Sequence, residues 1–413
     1  MKQGWEIKKL EDAVEFQRGL TYSKKDEVDF SDNIVLRSNN VDLIINKLDF
    51  TELKYINPAI EVPESKKVKK GSLLICTANG SKSHLGKVAL IDDDYNYAFG
   101  GFMGQVTPKE KLDSKFLFYL MISDNYKKFI NELSDGANIN NLKFSDLGQF
   151  EIPLPPLPEQ QRIVSILDEA FAAIAKAKAN AEQNLKNAKE LFASYLQGVF
   201  ENGNWETKTI QELTKVINGY AFASKDFKPT NTIKSIKITN VGVKEFVEET
   251  DNYLPDKFKD TLKEVQVKEG NIVIALTRTI ISAGLKVAVV PASYDGALVN
   301  QRVAALVPNE KLANQSFLYY FLTTNGVAKY VLAHVNTLMQ PNLSINDLKN
   351  LPVPCPSIKE QQTIVQKLDA LSTETKRLEA IYQQKLLNLE ELKKSILQKA
   401  FAGELKTEKE LAV

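Results

Sequence analysis

Short apolar runs bounded by turn residues fill the front of the chain and return about 200 positions later. Ile34-Val35-Leu36, Gly71-Ser72-Leu73-Leu74-Ile75 and Gly86-Lys87-Val88-Ala89-Leu90-Ile91 have the length and flanks of strands. Their partners are Ser235-Ile236-Lys237-Ile238, Gly270-Asn271-Ile272-Val273-Ile274 and Leu285-Lys286-Val287-Ala288-Val289-Val290. After them, Ser114-Lys115-Phe116-Leu117-Phe118-Tyr119-Leu120 and Ser316-Phe317-Leu318-Tyr319-Tyr320-Phe321-Leu322 read as aromatic-rich helices that open on a serine N-cap. The pattern predicts two α+β front domains.

A proline phrase follows each: Ile152-Pro153-Leu154-Pro155-Pro156-Leu157-Pro158, and Pro352-Val353-Pro354-Cys355-Pro356. Clustered prolines force an extended segment, and one just ahead of a helix suits its first turn. The periodicity then changes. Val164, Leu167, Phe171, Ile174, Ala181, Leu185, Ala188, Phe192, Tyr195 and Val199 step by threes and fours, with Lys178 interrupting. Leu368, Leu371, Leu378, Tyr382, Leu389, Leu392 and Ile396 keep that rhythm, with Thr375 and Lys385 as exceptions. Two proline-free helices of about 40 residues, each about 60 Å long, are predicted to pack as a coiled coil.

The repetition is a tandem duplication. Gly4-Trp5-Glu6 returns as Asn204-Trp205-Glu206, Arg18-Gly19-Leu20 as Asn218-Gly219-Tyr220, and Glu159-Gln160-Gln161 as Glu360-Gln361-Gln362. The implied domains are 1–152, a front domain; 153–203, proline linker and first long helix; 204–353, the second front domain; and 354–413, linker and second long helix. Because a globular domain separates the helices, they can run antiparallel. Residues after Phe401 should then lie near Trp5, giving a pseudo-twofold cyclic object. A helical hairpin used only for dimerisation is the plainer alternative.

Composition narrows the class. Hydrophobic residues make up 43% and charged residues 25% of the 413, and the net charge is +1, which argues against an indiscriminate polyanion binder. No apolar run reaches the roughly 20 residues of a membrane span, and the amino terminus lacks a secretory pattern, so a cytoplasmic protein without membrane partners is expected. The two cysteines, Cys76 and Cys355, have no partners at metal-ligand spacing and are expected to be buried or inert.

Catalytic signatures fail on inspection. Gly80-Ser81-Lys82-Ser83-His84-Leu85-Gly86-Lys87-Val88 has one residue too many for a phosphate loop and Val88 where a hydroxyl belongs. Phe99-Gly100-Gly101-Phe102-Met103-Gly104 is glycine-rich, but no Asn-Pro-Pro-aromatic or Asp-Pro-Pro-aromatic motif accompanies it, so it reads as strand and turn. With only His84 and His334, histidine triads and zinc sites lack material, and Asp92-Asp93-Asp94 reads as a solvated turn. No catalytic residue, metal or cofactor is assigned.

What remains are polar loops at matched places. Arg37, Asn39 and Asn40 answer Lys237, Thr239 and Asn240 beyond a strand; Asn79, Ser81 and Lys82 answer Thr277, Arg278 and Thr279. Arg, Lys and Asn read base edges, and Ser, Thr and Lys hold phosphates, so these twelve residues are candidates for DNA contact. Ordinary turn chemistry supplies the same residue types. Lys66-Lys67-Val68-Lys69-Lys70 reads first as a solvated run and second as a phosphate contact.

The whole chain resembles the specificity subunit of Type I restriction-modification enzymes. The resemblance rests on Leu157-Pro158-Glu159-Gln160-Gln161-Arg162-Ile163-Val164 through Asp168, its repeat at Ile358 to Asp369, and the closing phrases Leu196-Gln197-Gly198-Val199-Phe200 and Leu397-Gln398-Lys399-Ala400-Phe401. It implies a non-catalytic subunit in which each front domain is a target recognition domain reading half of a bipartite double-stranded DNA sequence. The helices would set the half-site spacing and dock two methyltransferase subunits, with restriction subunits joining the full complex. The resemblance does not hand over base-contacting residues. A coiled-coil scaffold carrying two protein-binding domains is the rival, and it predicts no DNA affinity.

Overall fold

In a computed structural model the described residues are 4–42, 44–135, 141–248, 253–335 and 342–405. They fall into two compact units that do not follow chain order: Met1–Ala181 with Gln384–Val413, and Glu182–Gln383. Each unit holds one front domain, the first half of one long helix and the second half of the other.

In the first unit a four-stranded antiparallel sheet runs Val14–Arg18, Met103–Pro108, Leu73–Cys76, Val88–Leu90. Leu73 to Cys76 are all fully buried, which explains an apolar run without alternation. Leu73 and Ile75 join a core with Phe116, Leu117 and Leu120, while Leu74 and Cys76 face a second core with Val41, Phe99 and Met103. A second sheet, Glu27–Val28, Lys54–Ile56, Ile34–Leu36, Ala98–Phe99, ends in a parallel pair.

The second unit repeats this plan with Thr214–Asn218, Val303–Pro308, Ile272–Ala275 and Val287–Val289, flanked by Tyr253–Leu254, Ile233–Ile236 and Leu298–Val299. It adds a small hairpin, Ile280–Ile281 with Gly284–Leu285. The strand expected at 235–238 lies at Ile233–Ile236, because from Lys237 the chain turns: the Asn240 Oδ1 accepts the Lys237 N–H at 2.9 Å.

The short aromatic helices span Ser114–Met121 and Gln315–Leu322, and the serine caps expected for them are not the caps. Asp113 accepts the N–H groups of Lys115 and Phe116, and Asn314 accepts that of Phe317. Each stands in extended backbone just ahead of its helix, where a side-chain oxygen can reach back to the orphan donors.

The proline phrases are extended, as expected, and they pair. Glu151–Leu154 runs antiparallel to Glu6–Lys9, and Pro352–Pro354 to Thr207–Thr209, so each tryptophan-led phrase lies beside the end of its own front domain. The long helices then run Leu157–Asn202, 46 residues, and Ile358–Ala402, 45 residues. Their starts are fastened alike. The buried Gln160 donates to the carbonyls of Pro155 and Lys111 and accepts the Asp113 N–H; Gln361 does the same with Pro356, Leu312 and Asn314. About two turns later the Tyr119 hydroxyl donates to Asp168 and the Tyr320 hydroxyl to Asp369, both at 2.5 Å.

Within the first unit the two helices are antiparallel: Arg162 donates to the Leu405 carbonyl, Lys393 lies over the Phe171 ring, and Lys178 pairs with Glu390 at 2.7 Å. Trp5 shares its core with Leu397 and Ala400, against which Phe401 packs, so the carboxyl end of the second helix closes on the start of the chain as the cyclic reading required. In the second unit Trp205 meets Phe200 in the corresponding way.

The apolar stripes depart from expectation at their ends. Tyr195 is 41% and Leu392 47% exposed, whereas Leu196 and Leu397 are 3% and 5% exposed. There each helix leaves its partner and docks on a front domain, through Phe200 on Phe317 and Phe401 on Phe116, which turns the buried face by one residue, about 100°. The exceptions are accommodated: Lys178 has its ion pair, and the Thr375 hydroxyl donates to the Leu371 carbonyl. Cys76 is buried and its thiol is pushed up to about 11 by desolvation; burial also raises Cys355.

Candidate nucleic-acid interface

Three loops meet at one edge of each front domain, and the backbone joins them. In the first unit they are 37–41, 77–82 and the turn 100–103. Gly100 N–H donates to the Leu36 carbonyl, and the Phe102 carbonyl accepts from the N–H groups of Thr77 and Ala78. The first two loops are tied directly as well, by Asn79 Nδ2 to Ser38 Oγ at 2.9 Å. In the second unit Asn300 N–H donates to Ile236, and the Arg302 carbonyl accepts from Leu276. The third loop is fastened to the other two in the same way.

The frame beneath follows one plan in both units. The Asn40 Oδ1 accepts the Arg37 N–H while its Nδ2 donates to the Asp49 and Glu52 carbonyls; Asn240 uses Lys237, Val247 and the Tyr294 hydroxyl. Lys87 Nζ reaches the Val41 carbonyl and Lys286 Nζ the Ile238 carbonyl, each at 2.6 Å, and burial lowers the pKa of both. Gly19 and Gly219 have no room for a side chain, since a Cβ would stand 2.0 Å from the carbonyl oxygens of Gly100 and Asn300. That close approach explains the recurring glycine, which seats the third loop.

Against this frame the twelve candidates separate. Asn40, Asn240 and Thr279 are fully buried and belong to the scaffold, so no side-chain atom of theirs reaches the surface. Arg37 is half-buried beside Tyr22 and Glu27, and its Nε is enclosed without a partner among the described residues. Burial holds the Tyr22 hydroxyl above its usual pKa even though the Arg37 charge lowers it. Lys237 lies over the Phe227 ring at 3.8 Å. Asn39 is exposed and donates to Glu52; Ser81 is exposed and shares a hydrogen bond with Ser83. Thr239 and Arg278 are exposed, Arg278 in the left-handed region at φ 49°, and Thr277 is half-buried. The side chain of Lys82 lies outside the described residues. In the lysine run, Lys66 donates to the Arg18 carbonyl, Lys67 pairs with Glu64 and Lys70 with Asp93, which places its charge in local contacts.

A cleft of about 440 Å³ opens in the first unit between Thr21, Tyr22, Arg37, Asn39 and the turn carrying Phe102. Sequence reasoning took this turn as mere punctuation. Its tip is Gly101-Phe102, with Phe102 73% exposed; in the second unit the same position holds Gln301-Arg302, both exposed. The legible signal was the constant spacing from Gly19 to Phe102 and from Gly219 to Arg302.

Comparison with known proteins finds the same architecture. Residues 2–186 and 202–388 each match the Type I restriction modification DNA specificity domain. Among curated relatives, the Type I restriction enzyme EcoKI specificity subunit of Escherichia coli K12 is 27% identical over 98% of this chain and 90% of its own length. The StySPI specificity subunit of Salmonella potsdam is 24% identical, with the same two coverages, 98% and 90%. A chain from a type I R-M system solved in work on its assembly and conformational transition superposes with a TM-score of 0.75 at 19% identity, covering 98% of this chain and 99% of that one. The HsdS subunit of Thermoanaerobacter tengcongensis gives 0.67, also at 19% identity, with 98% of both chains covered.

Proposed function

The chain belongs to the Type I restriction modification DNA specificity domain family, of which it carries two copies, and from that premise we propose that it is the DNA-recognition subunit of such a system. Each front domain reads one half of a bipartite double-stranded target. The observation that carries this reading is the repeated frame with unlike exposed residues: matched clamps, the buried Asn40 with Asn240 and the carbonyl-bound Lys87 with Lys286, support loops whose accessible side chains differ. Two equal scaffolds with unequal tips suit two half-sites of different sequence, because base edges are told apart by hydrogen-bonding side chains while phosphates only position.

Catalysis belongs to the partners. Two methyltransferase subunits dock on the long helices and modify the DNA, and restriction subunits complete the assembly; this chain acts with them in the cytoplasm and needs no cofactor of its own. The helices hold the half-sites at a fixed spacing. Selection of bound fragments from a random duplex pool by the chain assembled with modification subunits tests the reading. It predicts enrichment of two short motifs separated by a constant unread gap. A single continuous motif, or no enrichment, would favour the protein-binding scaffold instead.

A further inference from the structure

We propose that the third loop is itself a sequence reader, with Arg302 recognising a guanine in one half-site and Phe102 packing on a thymine methyl in the other. The proposal rests on the DNA-recognition reading and adds to it residues that no loop matching singled out.

Position carries the first part of the argument. The turn is closed by the Met103 N–H on the Gly100 carbonyl at 2.8 Å, and by the Val303 N–H on the Asn300 carbonyl at 2.9 Å. Residues 101–102 and 301–302 are therefore the two tip positions, the ones a tight turn presents outward. The turn is hydrogen-bonded through its backbone to the strand end that leads into each of the other candidate loops, Leu36 and Thr77 in one unit and Ile236 and Leu276 in the other, so its tip belongs to the same edge as those loops. It is also held rigidly. Gly19 or Gly219, neither with room for a side chain, passes under it, and a sheet strand, Met103–Pro108 or Val303–Pro308, leaves directly from it. A reader on such a support loses little freedom on binding.

Chemistry carries the second part. Arg302 and Gln301 are exposed and spend no side-chain hydrogen bond on any described residue. Arginine is the side chain whose paired donors match the O6 and N7 of guanine. Phe102 is one of the most exposed aromatic rings of the chain and lies at the mouth of the cleft that Arg37 lines. An apolar ring so placed costs solubility unless a partner covers it, and the thymine methyl is the apolar feature of the major groove. The turn keeps the same backbone hydrogen bond in the two units while its residues change from Gly100-Gly101-Phe102-Met103 to Asn300-Gln301-Arg302-Val303, and the exposed tip residues differ in the property that would change the base read.

The test is the adenine methylation pattern of host DNA when the chain is expressed with its modification subunits. Arg302→Ala should relax one guanine position by roughly 10-fold or more, in only one half of the target, and leave the other half intact. Arg302→Lys, which keeps the charge but not the fork, should bind as well and still discriminate less. Phe102→Ala should relax a position in the opposite half. If both Arg302 variants give the unaltered motif, while removal of the chain abolishes it, the tip is not a reader and the family reading stands. A uniform fall in methylation with no base relaxed would also overturn the proposal, because it marks a phosphate contact. If removing the chain leaves methylation untouched, the recognition reading itself fails.

Discussion

Asn39 and Asn40 stand side by side in the sequence and look alike there, yet the fold gives them opposite work. Asn40 is sealed in and satisfies two carbonyls and one N–H of its own loop, while Asn39 faces solvent. Asn40→Ala should cost about 2 kcal/mol of stability by leaving buried backbone groups unpaired. Asn39→Ala should stay within about 0.5 kcal/mol. Thermal unfolding of the two variants side by side checks this; equal costs would contradict the assignment. In the sequence the two differ only in that Asn40 recurs as Asn240 while Asn39 is answered by Thr239; the burial itself depends on the carbonyls of Asp49 and Glu52, which arrive from further along the chain. Thr279 is likewise fully buried.

At the scale of elements, period and punctuation were legible and contacts between elements were not. The strands, the proline segments and the two long helices follow from short apolar runs bounded by turn residues, fixed φ and the three-four step. Helix ends did not follow, since Leu196 and Leu397 turn inward only where each helix meets a front domain. The capping residues give a direct check: Asp113→Ala should destabilise by about 1 kcal/mol, and Ser114→Ala by well under half of that. The recurring Glu-Gln-Gln phrase acquires a cause in its middle residue. Replacing Gln160 or Gln361 by Ala should cost about 2 to 3 kcal/mol, because three buried backbone groups lose their partner at once. A loss of under half a kcal/mol in denaturant titration would show that the latch is ornamental.

For the whole molecule, the duplication announced two equivalent domains and the closure of the last helix on Trp5. What it could not announce is the sequence each domain reads. Two expectations belong to this scale. Deleting one heptad from each long helix, residues 182–188 and 377–383, removes about 10 Å of helix, about three base pairs, and should shorten the accepted gap between half-sites without changing either half. Exchanging residues 1–150 for another front domain of the family should change one half of the target and leave the other. Unaltered spacing in the first case, or two altered halves in the second, would contradict the division of labour.

The central claim is that this chain supplies sequence specificity to partner methyltransferases. The most direct measurement is base-resolved adenine methylation of host DNA, with the chain co-expressed with modification subunits and then removed. The account predicts a split, two-part methylated motif that disappears with the chain. A stable assembly that leaves no such motif, or a motif that persists without the chain, would contradict it.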